Sequence, residues 1–147
     1  MTPEEQAILE HARVGRLATA DADGHPHVIP ICYAIVEETC AVRIVSSIDE
    51  KPKSTRDLQR ARDIRSNPSV ALLVDFYDED WSRLAWVQVR GRGRVVSPET
   101  NGHAGAATAL ESKYKQYRSQ SHDLHHRPIL EIHADRTLSW GSLAEYA

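Results

Sequence analysis

The chain has 147 residues, enough for one domain with a real core and too few for two ordinary domains. Its 18 Lys and Arg against 21 Asp and Glu leave a formal charge of -3, which excludes a general nucleic-acid binder, a class that is normally basic. No apolar run approaches the roughly 20 residues of a membrane span, and the acidic, polar start Met1-Thr2-Pro3-Glu4-Glu5 does not read as a signal peptide, so a cytoplasmic location without membrane contact is expected.

Thr2-Pro3-Glu4-Glu5 reads as a helix start, with Thr2 as cap, Pro3 at the first helical position and Glu5 closing a capping box. That helix is expected to run to His11. Val14 to Ala20 reads as a strand, Asp21-Ala22-Asp23-Gly24 as a hairpin turn, and His27 to Val36 as the return strand, in which Pro30 points to an edge or a bulge. A turn at Glu37-Glu38-Thr39 leads to a strand from Cys40 to Val45. Leu58, Ala61 and Ile64 recur at helical spacing between Ser54 and Ser66, and Asn67-Pro68 ends that helix. Val70 to Phe76 is a nearly continuous apolar strand. Ala85 to Val96 is a long strand, with Gly91 and Gly93 marking bending or close backbone approach. Ser97-Pro98-Glu99 repeats the cap-then-Pro pattern before a helix ending near Tyr117. Ile129 to Ala134 and Arg136 to Trp140 complete the set. Six strands and three helices without a repeated βαβ pattern predict one mainly β (α+β) domain over residues 1–147, a small antiparallel barrel with peripheral helices.

The densest chemical signal lies where the third predicted strand ends. Ser46-Ser47-Ile48-Asp49-Glu50-Lys51-Pro52-Lys53-Ser54-Thr55-Arg56 brings Lys51, Lys53 and Arg56, with Arg60 and Arg62 beyond, to a helix start. Unpaired N–H groups and partial positive charge collect there, which suits a phosphate. A cationic run on a helix is by default a solvated face; the position at a strand end favours the phosphate. Cys32 and Cys40 lack CxxC spacing and flank a hairpin turn, where they could lie near each other as reduced packing residues. His122, His125 and His126 sit in a polar segment ended by Pro128. No metal site is expected there, and the segment reads as a flap or a solvated loop.

Four segments in order carry a resemblance. Gly15 to Ile31, the basic helix running through Asn67-Pro68 into Val70 to Val74, Val87-Gln88-Val89-Arg90-Gly91-Arg92-Gly93-Arg94-Val95-Val96, and Leu110-Glu111-Ser112-Lys113-Tyr114-Lys115-Gln116-Tyr117 are similar to the split β-barrels of the pyridoxamine-5'-phosphate-oxidase-like superfamily. Asp49 to Lys53, Asp75 to Trp81 and Trp140-Gly141-Ser142 resemble its actinobacterial branch that uses coenzyme F420. The resemblance implies a six-stranded split barrel and a homodimer with the cofactor in a groove between subunits. It implies an oxidoreductase that moves a hydride between the deazaflavin and a small unsaturated organic substrate.

By the same resemblance Lys51, Lys53, Arg56 and Arg60 hold the cofactor phosphate, Ser46, Ser47 and Ile48 end the strand beneath the ring, and Pro30, Ile31 and Cys32 line its pocket. Trp81, Trp86, Trp140 and His27 are expected around the substrate, although core or interface packing is the ordinary use of a Trp. An FMN-dependent enzyme is the alternative, as is a non-catalytic flavin, F420 or haem carrier, with His27 or His103 the candidates for an axial ligand. Against FMN, the sequence near Gln59 and Arg60 lacks the Arg-Lys pair of the true pyridoxamine-phosphate oxidases.

Overall fold

The computed structural model describes residues 1–48, 55–119 and 123–147, and for residues 55–58 the backbone only. In chain order the elements are α1 (Pro3–His11), β1 (Gly15–Ala20), β2 (Pro26–Ile31), β3 (Ala34–Glu38), β4 (Ala41–Ser47), α2 (Thr55–Ser66), β5 (Ser69–Phe76), β6 (Ala85–Val96), α3 (His103–Lys113) and β7 (Ile129–Gly141). Thr2 and Glu5 form the expected capping box. Glu5 also accepts from Ser139 Oγ at 2.6 Å, which pins α1 to β7. Burial alone would raise the Glu5 carboxyl, but the hydrogen bonds from Ser139 and Thr2 outweigh it and hold it below its usual value.

The seven strands form one antiparallel sheet in the order β2-β1-β5-β6-β7-β4-β3. It curls around a core that joins Leu17 of β1, Ile44 of β4, Leu72 of β5, Val89 of β6 and Ile132 of β7. That is the split barrel, with seven strands where six are expected. The extra one arises because the predicted strand 27–36 breaks at Cys32-Tyr33. Tyr33 is fully buried there, and its N–H donates to the Tyr114 hydroxyl at 3.1 Å instead of to a neighbouring strand. The Tyr114 hydroxyl in turn lies 2.9 Å from the Arg13 carbonyl and 3.0 Å from the Tyr33 carbonyl. Lys113 sits 4.0 Å over the Tyr33 ring, and its ammonium donates to the Leu9 carbonyl at 3.3 Å.

Gly24 closes the β1–β2 turn at φ 84, a backbone conformation that side-chain-bearing residues avoid. The second glycine that matters is Gly91. Opposite it Asp135 is the extra residue of a bulge, since Arg90 pairs with Arg136 while Gly91 pairs with Ala134. A Cβ at Gly91 would stand 2.1 Å from the His133 carbonyl oxygen.

Two expectations change. The third helix starts at His103, because Ser97 to Asn101 spend their backbone on successive turns (Thr100 N–H to Ser97 O, His103 N–H to Thr100 O) and Gly102 takes φ 92 before the helix begins. Cys32 and Cys40 are both free, as expected, but they are exposed and lie beyond opposite ends of β3, so they are not neighbours across the hairpin. Among the described residues no helix is long and apolar enough to cross a membrane.

Candidate functional site

A cleft of about 600 Å³ opens between β2 and α2. One wall is the strand face from Pro26 to Pro30, and the other is the helix face bearing Gln59, Arg60 and Asp63. The β1–β2 register sets Thr19 opposite His27. Both reach Asp63, with Thr19 Oγ1 donating to Oδ2 at 3.0 Å and His27 Nδ1 lying 2.9 Å from the same oxygen. Gln59, one helical turn before Asp63, donates its Nε2 to Oδ1 at 2.9 Å. The Asp63 side chain is 1% exposed and that of His27 44% exposed, so a buried carboxylate holds a ring that borders the cleft.

Arg60 is buried at the base of this wall and donates from its guanidinium to the Ser47 carbonyl at 3.5 Å. Ser46, also buried, donates Oγ to the Cys32 carbonyl at 2.7 Å. These bonds draw the end of β4, the Cys32 corner and α2 together, and Pro30 joins them from β2. Ile31 and Ile48 belong to the hydrophobic core, so any contact with a ligand from those two positions falls to their backbone. Lys51 and Lys53 lie outside the described residues, and Arg56 is described only as backbone in α2.

Beside Cys32 stands a desolvated group of polar side chains. Burial, followed by the Arg13 charge, lowers the Lys113 ammonium to about 8, and burial raises the Tyr117 phenol to about 12. The Tyr33 and Tyr114 phenols also move up, again chiefly by burial.

The tryptophans stand apart from the cleft. Trp86 and Trp140 pair across β6 and β7, Trp86 on the side of β6 opposite the buried Val87 and Val89. Trp140 is 55% exposed and Trp81, in a short 3-10 turn after β5, is 70% exposed. His103 is buried, with Nε2 2.5 Å from the Arg127 carbonyl, and so is not available as an axial ligand. Of the histidine-rich segment, His122 lies outside the described residues; His125 meets Glu111 and His126 meets Asp123, on separate partners. A second hollow, of about 520 Å³ near the β3–β4 turn, is lined by Glu37, Glu38 and Asp135 together with His133 and Arg136.

Thr19, Gln59 and Asp63 were not singled out by the sequence reading. An acid among arginines in a helix looks solvated. Only the hairpin symmetry, which sets Thr19 beside His27, offered a signal.

Residues 1–141 match the family described as pyridoxamine 5'-phosphate oxidase. The chain belongs to that family. Within it, the chain is 29% identical over 143 residues to the 5a,11a-dehydrotetracycline/5a,11a-dehydrooxytetracycline reductase of Streptomyces rimosus, a match covering 95% of this chain and 82% of the relative. A conserved hypothetical protein from Mycobacterium tuberculosis superposes with a TM-score of 0.68 at 24% identity, covering 96% of this chain and 85% of that one. The haem storage protein HutZ from Vibrio cholerae superposes equally well, at 0.68, with 13% identity over 95% of this chain and 92% of its own. These two likenesses establish the split-barrel fold of this oxidase-family member and nothing about its chemistry.

Proposed function

We propose that the chain is an F420-dependent oxidoreductase that reduces a small unsaturated organic substrate. The observation that carries this is the β2–α2 cleft. Its apolar strand wall suits the face of a flat tricyclic ring, while Arg60 and Gln59 on the helix wall offer polar groups that such a ring's edge requires. The relative named as a reductase supports the reductive direction. When bound, the deazaflavin supplies the hydride. The protein's own residues hold the ring, orient the substrate and exclude water.

Lys51 and Lys53 precede α2, and with Arg56 they are assigned to the cofactor phosphate. Trp86 and Trp140, on the outer sheet face, are assigned to contact with a second copy in a homodimer. From there they reach a substrate only across the subunit boundary, as does Trp81.

The test is a parallel fluorescence titration with F420 and with FMN. Tight F420 binding, weakened at least tenfold in the Lys51→Ala/Lys53→Ala double variant, is expected, since charge-assisted phosphate contacts contribute roughly 1.5–3 kcal/mol. Tight FMN binding with weak F420 binding would overturn the cofactor assignment, and binding of neither would remove the oxidoreductase reading.

A further inference from the structure

A two-electron reduction of a carbon–carbon or carbon–oxygen double bond needs a proton as well as a hydride, and F420 supplies the hydride alone. In the β2–α2 cleft one side chain is built to supply that proton. Asp63, 1% exposed, receives hydrogen bonds from Thr19 and Gln59, so both its oxygens act as acceptors and the proton shared with His27 is assigned to Nδ1. The two nitrogens of an imidazole diverge. With Nδ1 turned to Asp63 at 2.9 Å, Nε2 is turned away from it, and the half-exposed ring lines the cleft. Among the described residues, the charged and polar groups facing the ring come from two elements: Thr19 on β1, and Gln59, Arg60 and Asp63 on α2.

We propose that His27 is the catalytic proton donor of this cleft and that Asp63 is its positioning residue, a proposal that rests on the oxidoreductase reading. In the step, the Nε2–H bond of the imidazolium breaks and a bond from that proton to the substrate carbon or oxygen forms. The electron pair for the new bond comes from the double bond polarised by hydride addition, the hydride being that of the reduced deazaflavin. The ring is left neutral with its remaining proton on Nδ1, and water returns the second. Asp63 fixes the ring's rotation and tautomer, as a carboxylate behind a histidine does elsewhere.

Two readouts test this. The first needs no cofactor: ¹H–¹⁵N correlation spectra of the histidine rings near neutral pH. The neutral His27 ring is expected to carry its proton on Nδ1 in the wild type, and on Nε2 in the isosteric Asp63→Asn variant, whose amide can donate to Nδ1. An Nε2–H tautomer in the wild type overturns the proposal. The second is turnover with reduced F420 and a panel of cyclic enones. His27→Gln is expected to keep F420 affinity within twofold and its melting temperature unchanged while kcat falls about 100-fold, the low end for general acid catalysis. Wild-type kcat in His27→Gln with intact F420 binding overturns this proposal and leaves the oxidoreductase reading standing. Failure of both F420 and FMN to bind overturns that reading, and this proposal with it.

Discussion

Tyr114→Phe removes one oxygen from the corner where β2 gives way to β3, and the structure allows its cost to be worked out. The Tyr33 N–H has the Tyr114 hydroxyl as its acceptor and sits on a residue with no solvent exposure. Leaving such a donor unsatisfied costs about 1–3 kcal/mol, and loss of the hydroxyl's own donation to the Arg13 or Tyr33 carbonyl adds about 1 kcal/mol. A loss of about 3 kcal/mol is expected, equivalent to a fall of about 6–12 °C in melting temperature for a domain of this size. Urea unfolding followed by circular dichroism, at one fixed protein concentration, measures it. Tyr77→Phe, at a residue 67% exposed, is the control and should stay within about 0.5 kcal/mol of the wild type. A Tyr114→Phe loss below about 0.5 kcal/mol would show that the Tyr33 N–H finds another partner, and the account of the broken strand would fall.

Three further outcomes are expected. Gly91→Ala drives a Cβ to 2.1 Å from a backbone oxygen that no side-chain rotation can move, so destabilisation of about 3 kcal/mol or more, or loss of soluble protein, should follow; a loss under about 1 kcal/mol would refute the close approach. Stability should rise with pH between about 8 and 10, because Lys113 has a lowered value in the fold and the unfolded chain binds more protons in that window. Above about 10 it should fall, because the raised Tyr33 and Tyr117 phenols stay protonated in the fold while their unfolded counterparts ionise; Lys113→Met should abolish the rise and keep the fall. Trp140→Lys should raise the dissociation constant of the proposed homodimer at least tenfold in sedimentation experiments, and an unchanged constant would move the interface elsewhere.

The local signals in the chain carried far. Thr2, Pro3 and Glu5 announce α1, Gly24 announces the hairpin, and the alternation from Ala85 to Val96 gives β6 its full length. What was illegible depends on distant partners. The break at Cys32-Tyr33 exists because a hydroxyl from residue 114 captures an N–H at residue 33, which no periodicity records. The Ser97-Pro98 signal was misleading because Gly102 ends the turns that follow it before a helix can form. At the candidate site, His27 and Arg60 were visible as residue types. Asp63 was not, since its burial is decided by two strands folding over the helix. For Ile31 and Ile48, inclusion in the core leaves only backbone to offer a ligand.

The outermost strands of the sheet have a consequence for how the molecule meets its neighbours. β2 carries Pro26 and Pro30, which remove two potential donors from one margin, and β3 at the other ends in the exposed Glu37 and Glu38. Neither margin is a good template for another strand, so growth by adding chains edge to edge is discouraged. Association is left to broad faces such as that of Trp86 and Trp140, the face proposed above for a second copy. A crowded solution of this protein should therefore hold closed, countable assemblies and not fibres.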